Sequence, residues 1–290
     1  MRCTVVLGVA FHVIFSAGCG GDDSGDDGPR PMTFGGDRPV DLKVPPSFDA
    51  TRRYPLILAL HGYSSNGFVH GSYFGLPNLV ASGEALLLAP DGTTDSGGKQ
   101  FWNADPACCD FNNKNPDDVG YLGKLIDDVS ASWPVDPARV FVIGHSNGSF
   151  MAYRMACERA DVITAIAGLA GAASSVAASC TPSRSVNVLH IHGTADAVVP
   201  YDGGGLGGGG AVASVQQWVG HGNCGGSLVT QGTLDLESSI PGAETTRLAA
   251  ACPDGVGIEL WRVDGASHVP NWGPSFTPEL WTWLTDHARR

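Results

Sequence analysis

The residue best suited to nucleophilic chemistry is Ser146, which lies in a Gly-His-Ser-Asn-Gly sequence at 144–148. An apolar run at 140–143 precedes this pentapeptide, and a helix-competent segment at 150–159 follows it. A sharp turn between a strand and a helix lifts a serine hydroxyl clear of the sheet edge, and it crowds the two flanking positions so that a Cβ hardly fits there. Both positions are glycine, so the pattern predicts that Ser146 is a nucleophile. Because the chain holds 40 glycines, the flanking strand and helix carry this prediction more than the pentapeptide itself.

A serine hydroxyl needs a base that takes its proton and a carboxylate that orients the base. Asp196 follows an apolar strand candidate at 186–191, and His268 follows another at 258–263. Both side chains are therefore expected at the carboxyl ends of strands, where an open α/β sheet binds its ligands. The order Ser146, Asp196, His268 is that of α/β-hydrolases and differs from the orders of chymotrypsin and subtilisin.

Other carboxylates and histidines near these segments have simpler explanations. Asp117 or Asp118 is expected to cap the helix that follows, by accepting hydrogen bonds from its free N–H groups, and either is an alternative triad acid. His61, His145 and His192 are expected to have structural roles at strand ends and in loops.

An acyl-transfer enzyme also needs N–H donors for the oxyanion, each worth about 3 to 4 kcal/mol in the transition state. The apolar run at 56–60 leads into a His-Gly sequence at 61–62, and such folds place one donor directly after that strand. We predict the backbone N–H of Tyr63 as this donor and that of Asn147, just after the nucleophile, as the second.

Aromatic side chains in loops after strand ends are candidates for an apolar acyl or aryl pocket. Trp102 and Trp272 are predicted to bind substrate in this way. Packing into the core explains such residues equally well.

The elements that must position these residues indicate an α/β-hydrolase fold, with a mainly parallel central sheet flanked by helices. The catalytic domain is predicted to span 37–290, because roughly 250 residues suit one such domain. A hydrophobic content of 43% is ample for its core. The formal net charge of −12 argues against nucleic acid as a partner.

Residues 1–18 are predicted to be a secretory signal peptide. Their apolar stretch at 5–15 is too short to span a bilayer, and small residues stand directly before Cys19. This arrangement predicts an exported, cell-envelope lipoprotein anchored at Cys19, with free secretion as the alternative. Residues 19–36 are predicted to be a flexible linker, because an acidic Gly/Asp tract cannot bury enough apolar surface to fold.

The candidate residues lie within longer motifs that together cover about 40–290. These motifs are Leu-His-Gly-Tyr at 60–63, Phe-Trp-Asn-Ala at 101–104 with two cysteines at 108–109, Asp-Asp-Val-Gly-Tyr-Leu at 117–122, Gly-His-Ser-Asn-Gly-Ser-Phe-Met-Ala-Tyr-Arg-Met-Ala-Cys-Glu at 144–158 and His-Ile-His-Gly-Thr-Ala-Asp-Ala-Val-Val-Pro-Tyr at 190–201. They resemble the polyhydroxybutyrate depolymerase and feruloyl or acetylxylan esterase-like family of α/β-hydrolases. The resemblance implies Ser146, Asp196 and His268 as the triad.

The chain departs from this family beside the histidine. Where the family usually carries a Gly-His-Thr-Trp-Pro-Gly segment, the chain has Ser-His-Val-Pro-Asn-Trp at 267–272. The wall beside His268 therefore differs, and the resemblance does not define the substrate.

Six cysteines remain when the two within residues 1–19 are set aside, and an even number predicts disulfides in an exported chain. The resemblance implies that Cys224 pairs with Cys252. The connectivity of the other four cysteines stays open: Cys108, Cys109, Cys157 and Cys180. Because Cys108 and Cys109 are adjacent, each is expected to bond to a cysteine other than its neighbour. No zinc-site spacing is present in the sequence, so no metal is expected.

The predicted function is an exported serine esterase that needs no cofactor. Its substrate is a small or polymeric ester: a short-chain polyhydroxyalkanoate, or a feruloyl or acetyl ester of plant polysaccharide. A peptidase of the same fold is one alternative, although it normally needs a further cap or propeller domain. A catalytically silent, surface-binding lipoprotein is another, and it would not react with a fluorophosphonate probe.

Overall fold

The computed structural model describes residues 29–174, 180–253 and 255–289. The predicted signal peptide, Cys19 and most of the predicted linker lie outside these residues. Within them, no helix is both long enough and apolar enough to cross a membrane.

A large, mainly parallel sheet organises the chain. The strands are β1 (Thr33–Phe34), β2 (Val40–Asp41), β3 (Tyr54–Leu60), β4 (Leu86–Leu88), β5 (Thr93–Thr94), β6 (Gln100–Phe101), β7 (Val135–His145), β8 (Ala165–Leu169), β9 (Asn187–Gly193), β10 (Gly225–Leu234), β11 (Thr245–Ala251) and β12 (Ile258–Val263). In the described part of the chain, eight of them form one sheet in the order β10-β11-β12-β9-β8-β7-β3-β4. The strands from β12 to β4 run parallel, and β10 and β11 add an antiparallel hairpin. The predicted mainly parallel sheet is confirmed.

Helices cover both faces of this sheet. They are α1 (Gly67–Tyr73), α2 (Leu76–Ala81), α3 (Asp118–Ser132), α4 (Asn147–Glu158), α5 (Gly210–His221) and α6 (Phe276–Asp286). Buried side chains of α3, α4 and α5 belong to one apolar cluster, and those of α2 and α6 belong to another. The sheet therefore lies between two helical layers.

Strand β3 shows why both faces must be covered. Successive side chains of a strand point to opposite faces of the sheet. Leu56 and Leu58 accordingly join the cluster under α3–α5, whereas Ile57 and Ala59 join the cluster under α2 and α6. All seven residues of β3 are buried, as expected for a parallel strand between two layers.

The folded unit begins before residue 37, the predicted start of the catalytic domain. The compact unit runs from Pro31 to Arg290. Phe34 is buried in β1, which pairs with β2, and Trp133 Nε1 donates a hydrogen bond to the Pro31 carbonyl at 2.8 Å. The buried Phe34, the β1–β2 pairing and the Trp133 hydrogen bond together hold these residues on the domain.

The expectation that Cys108 and Cys109 each bond elsewhere is wrong, because they are bonded to each other. Cys157 lies in the last turn of α4 and is bonded to Cys180, with 5.5 Å between their Cα atoms. That separation is ordinary for a disulfide. With Cys157 bonded to Cys180 and Cys224 bonded to Cys252, the adjacent pair accounts for the two remaining cysteines of the described residues.

The two edges of the large sheet are both irregular. Cys224 and Cys252 are bonded at the open end of the β10–β11 hairpin, as the resemblance implies. The register of β10 against β11 shifts at two places, within 225–229 and within 230–232. At the other edge, β4 has only three residues and is bridged by Lys43.

Candidate active site

The turn at Ser146 has the strained backbone of a nucleophile elbow. Ser146 joins β7 to α4 with φ of 53° and ψ of −122°, a combination that residues with a Cβ rarely adopt. Its N–H donates to the Leu169 carbonyl at 2.8 Å, which holds the turn against β8. The Ser146 side chain is half-buried while its neighbours on both sides are buried, so Ser146 is the accessible residue of the turn.

Glycine is required on both sides of this turn. A Cβ on Gly144 would overlap the carbonyl of Gly148, and a Cβ on Gly148 would overlap the carbonyls of Leu60 and His61. The prediction that neither position accommodates a side chain is confirmed. The second contact also shows that the start of α4 lies against the loop that follows β3.

The loop after β3 carries the first predicted oxyanion donor. A Cβ on Gly62 would stand 3.3 Å from the Cβ of Ser146, so the backbone at this point lies beside the nucleophile. Asn147 begins α4, where N–H groups have no partner within the helix. Among the described residues, neither the Tyr63 N–H nor the Asn147 N–H has a backbone or side-chain acceptor. Both groups are available to an external oxygen.

The side chain of Tyr63 anchors this loop. Its hydroxyl donates to Asp95 Oδ2 at 2.6 Å, and its ring packs edge-on against Phe111 with 5.3 Å between the centroids. The hydrogen bond raises the pKa of Tyr63 and lowers the pKa of Asp95. The phenol is therefore committed to fixing the loop.

The structure places Trp102 in the core, which was the alternative to the predicted substrate-binding role. Its ring is fully buried, and its Nε1 donates to the His61 carbonyl at 3.1 Å. Its backbone N–H donates to Asn147 Oδ1 at 2.7 Å, and Asn147 Nδ2 donates to its carbonyl at 2.9 Å. Trp102 therefore joins the loop after β3 to the start of α4, the two segments with the predicted oxyanion donors.

The structure brings Asp196 and His268 together at the ends of β9 and β12. His268 Nδ1 lies 2.7 Å from Asp196 Oδ2. Because a carboxylate only accepts hydrogen bonds, the proton of a neutral His268 ring lies on Nδ1 and Nε2 has a free lone pair. A Cβ on Gly193 would overlap the Ala266 carbonyl, so the two loops pack directly on each other.

Asp196 is buried, and hydrogen bonds stabilise its charge. Its Oδ1 accepts the N–H groups of Val198 at 2.8 Å and Val199 at 2.9 Å, and its Oδ2 lies 3.3 Å from His192 Nε2. Burial alone raises the pKa of Asp196, but the hydrogen bonds from His192, His268 and Val199 outweigh burial and hold it below its ordinary value. Asp196 is therefore ionised at neutral pH.

Ser146 and His268 are linked through His145, the last residue of β7. His145 Nε2 lies 2.8 Å from the His268 carbonyl, and the two rings are 4.9 Å apart. This contact ties the His268 loop to the elbow. Among the described residues, Ser146 Oγ has no hydrogen-bond partner. Hydrogen bonds between catalytic groups often form fully only when substrate is present.

The alternative triad acids have other partners. Asp117 caps α3 by accepting the Gly120 N–H at 2.8 Å. Asp118 is buried beside Arg38 at 2.7 Å and accepts the Asn103 N–H at 2.7 Å. Burial raises the pKa of Asp118 despite these contacts. Because its hydrogen bonds go to these groups and not to His268, the structure does not support Asp118 as the triad acid.

Apolar side chains border the candidate site. Trp272 is half-buried and stacks on Phe276 with 3.9 Å between the ring centroids. Three other exposed apolar residues lie nearby and were not predicted from the sequence: Phe111 at 57% exposure, Val198 at 53% and Val269 at 56%. Val198 lies two residues after Asp196, and Val269 directly follows His268. Their closeness in sequence to the predicted triad could have identified them as residues that border the site.

Two pairs of buried histidines lie behind the site. His70 Nε2 is 2.9 Å from His145 Nδ1, and His190 Nε2 is 3.0 Å from His192 Nδ1. The structural roles predicted for His145 and His192 agree with these contacts, but neither pairing was predicted. Within the described residues, no group of three or more His, Cys, Asp or Glu side chains could hold a metal ion.

The sequence has clear relatives of known type. Residues 104–221 match the Phospholipase/Carboxylesterase family. The probable feruloyl esterase C of Aspergillus niger is 30% identical over 74% of this chain and 72% of its own length. That of Aspergillus flavus is 32% identical over 67% of both chains. The chain belongs to the feruloyl esterase-like family of α/β-hydrolases.

The esterase also shares its fold with solved structures. An acetyl xylan esterase from Aspergillus awamori superposes with a TM-score of 0.61 over 86% of this chain and 94% of its own, at 14% identity. This likeness shows the α/β-hydrolase fold. Together with the feruloyl esterase relatives, it identifies the chain as a carboxylic ester hydrolase.

Proposed function

We propose that this esterase hydrolyses feruloyl-type esters with a triad of Ser146, His268 and Asp196. The observation that carries the proposal is the 2.7 Å contact between His268 Nδ1 and Asp196 Oδ2 at the sheet edge where Ser146 turns. The names of the feruloyl esterase C relatives support the acyl class.

In the proposed acylation step, Ser146 Oγ bonds to the ester carbonyl carbon. His268 Nε2 takes the Ser146 proton and passes it to the leaving alcohol oxygen as the C–O bond to that oxygen breaks. Water then attacks the acyl-enzyme with the same base, which releases the acid and restores the serine. The ionised Asp196 stabilises the imidazolium that forms in both steps.

The Tyr63 and Asn147 N–H groups are the proposed oxyanion donors. Neither has a competing acceptor among the described residues, and the α4 N-terminus adds the positive end of its dipole at this point. Each preorganised donor contributes about 3 to 4 kcal/mol in such sites. The Trp102 and Asn147 hydrogen bonds support this geometry by holding the two donor segments together.

The acyl group is proposed to be aromatic. Trp272 lies four residues after His268, and the exposed Phe111 packs on Tyr63. A planar ring packs well against aromatic faces, whereas a short hydroxyalkanoate chain gains little from them. Methyl ferulate should therefore be a better substrate than hydroxybutyrate oligomers.

We also propose that the protein is exported. The leader predicted at 1–18 and the disulfides Cys157–Cys180 and Cys224–Cys252 support this, because disulfides persist in oxidising compartments. A lipid on Cys19 would hold the enzyme at a membrane surface, since two acyl chains anchor stably where one is marginal. Intact-mass measurement of the native protein tests this, and an unmodified N-terminus other than residue 19 would contradict it.

The catalytic proposal is tested with Ser146→Ala against a matched serine variant. Ser149→Ala removes a buried hydroxyl without a partner one turn into the same helix, so it should leave activity unchanged. Ser146→Ala should lose on the order of 10⁶ in kcat on methyl ferulate, because triad residues act as a unit. It should also stop labelling by a fluorophosphonate probe.

The substrates are methyl ferulate, p-nitrophenyl acetate to octanoate, acetylated xylan and hydroxybutyrate oligomers. Retention of more than a few per cent activity by Ser146→Ala would remove Ser146 from the mechanism. Faster turnover of hydroxybutyrate oligomers than of methyl ferulate would refute the aromatic acyl class and favour the depolymerase alternative.

A further inference from the structure

The two buried histidine pairs are hydrogen-bonded chains that end on the proposed triad. One chain runs from Ser65 Oγ through His70 and His145 to the His268 carbonyl, with distances of 3.0, 2.9 and 2.8 Å. It therefore ends on the backbone of the proposed base.

The other chain runs from the Tyr153 hydroxyl through His190 and His192 toward Asp196. The hydroxyl lies 2.7 Å from His190 Nδ1, and the two rings are joined at 3.0 Å. His192 Nε2 then faces both the Val199 carbonyl at 2.8 Å and Asp196 Oδ2 at 3.3 Å. It therefore ends on the proposed acid.

The acceptor at the triad end of each chain determines which ring nitrogen of each histidine carries hydrogen. A carbonyl and a carboxylate only accept, so Nε2 of His145 and Nε2 of His192 must carry hydrogen. In neutral rings their Nδ1 atoms are then acceptors, which receive the Nε2–H groups of His70 and His190. The hydroxyls of Ser65 and Tyr153 in turn donate to the remaining Nδ1 atoms. All hydrogen bonds in both chains therefore point toward the triad.

This order requires neutral rings. A proton added to Nδ1 of His145 or His192 would place two N–H groups face to face. A proton added to Nδ1 of His70 or His190 would force the Ser65 or Tyr153 hydroxyl to accept and would reverse the first hydrogen bond of the chain. The four histidines are buried, and burial lowers the pKa of His70 to about 4 and of His145 to about 3 and lowers that of His190 well below its ordinary value.

The groups that surround the His70–His145 pair agree with neutral rings. Around His70 and His145 stand His61, Tyr73, Phe74 and His268, and no described carboxylate lies within hydrogen-bond distance of that pair. Around His190 and His192 stand Tyr153, Tyr201 and Asp196.

We infer that His145 and His192 are positioning residues, which fix the proposed base and acid through uncharged, directed hydrogen-bonded chains that begin at Ser65 and Tyr153. The inference rests on the triad proposed above. His145 orients His268 through its carbonyl, and a neutral His145 ring 4.9 Å away does not oppose the positive charge that His268 acquires during catalysis. His192 adds a further donor to the carboxylate that orients the same ring.

The first test compares His145→Leu with His145→Gln. A glutamine amide can still donate to the His268 carbonyl, whereas leucine cannot. We expect His145→Leu to lose about tenfold to a hundredfold in kcat on methyl ferulate at unchanged KM, because small misplacements of catalytic groups have effects of this size. His145→Gln should stay within about threefold of the wild type. Equal losses in both variants, or no loss in either, would overturn the inference.

A matched control separates positioning from stability. Asn187 is buried at the opposite end of β9, where it bonds to the Gly257 N–H at 2.7 Å and the His287 carbonyl at 2.6 Å. Asn187→Leu should lower the melting temperature without changing kcat. If kcat falls in Asn187→Leu as far as in His145→Leu, the effect is general destabilisation and the inference fails.

The second test uses the unmodified protein. Proton–nitrogen correlation spectra of ¹⁵N-histidine-labelled protein report the tautomer of each ring. His145 and His192 should both be neutral Nε2–H tautomers at pH 7, and a cation or an Nδ1–H tautomer at either residue would overturn the inference. The two proposals fail separately: activity in Ser146→Ala refutes the triad, whereas an inactive Ser146→Ala beside a fully active His145→Leu refutes only the positioning role.

Discussion

Acidification should destabilise this protein through the His70–His145 pair. Burial lowers the pKa of the two rings to about 4 and about 3, whereas an unfolded histidine titrates near about 6.5. Below that value the unfolded chain binds protons that the folded pair does not. The stabilisation is therefore complete above about pH 6.5 and is lost as the pH falls toward the folded values.

The size of the loss depends little on the folded pKa values, because both lie below 5. At pH 5 protonation stabilises an unfolded histidine by about 2 kcal/mol, while a ring with a pKa of 4 or less gains almost nothing. At pH 7 the corresponding difference is about 0.2 kcal/mol. The pair should therefore contribute a loss of about 4 kcal/mol in unfolding free energy between pH 7 and pH 5.

Urea unfolding at the two pH values measures this loss in the wild type and in the double variant His70→Leu/His145→Leu. The double variant should lose about 4 kcal/mol less than the wild type on acidification, whatever its stability at pH 7. Burial also lowers the pKa of His190, but His190 is present in both proteins and cancels in the comparison. If the double variant loses as much stability between pH 7 and pH 5 as the wild type, the reasoning is refuted.

Three further predictions concern the acid, the elbow and the edge hairpin. Asp196→Asn should keep the far-UV circular dichroism spectrum and lose about 10⁴ in kcat, because His268 would adopt the wrong tautomer; a loss below tenfold would contradict this. Gly148→Ala should lower the unfolding free energy by about 1 to 3 kcal/mol and also lower kcat, since its Cβ meets two carbonyls. Gly220→Ala, exposed in α5 with open space, should instead raise the unfolding free energy by about 0.5 to 1 kcal/mol, and thermal unfolding compares the two. Replacing Cys224 and Cys252 by serine should reduce the unfolding free energy in urea by about 3 to 4 kcal/mol, through the restored chain entropy of a 28-residue loop; unchanged stability would argue against that entropy.

The strands of the central sheet, and the candidate site residues at their carboxyl ends, can be predicted because short stretches of sequence define them. The runs at 56–60 and 140–143 are apolar throughout, and both faces of a parallel strand are buried, so continuous runs identify such strands directly. The glycines at 144 and 148 likewise identify a close backbone approach. These local patterns place Ser146 and Asp196 correctly at strand ends.

What the sequence does not reveal depends on distant contacts. Trp102 follows a two-residue strand in an irregular region, and its burial results from the loop after β3 and from Asn147, which lies 45 residues along the chain. His70 and His145 are separated by 75 residues, and only the packing of α1 against the end of β7 makes them a pair. The pairing of Cys108 with Cys109 similarly follows from the position of Cys180 beside α4 and not from any spacing rule.

The irregular edges of the large sheet bear on self-association. A straight exposed edge presents unpaired N–H and C=O groups, and another chain can add to it as a further strand. Two register shifts interrupt β10, and such bulges bend and twist a strand. The disulfide Cys224–Cys252 holds the end of that hairpin, while the opposite edge is only three residues long and bridged by Lys43. The esterase can therefore reach high local concentration without its sheets joining from one molecule to the next.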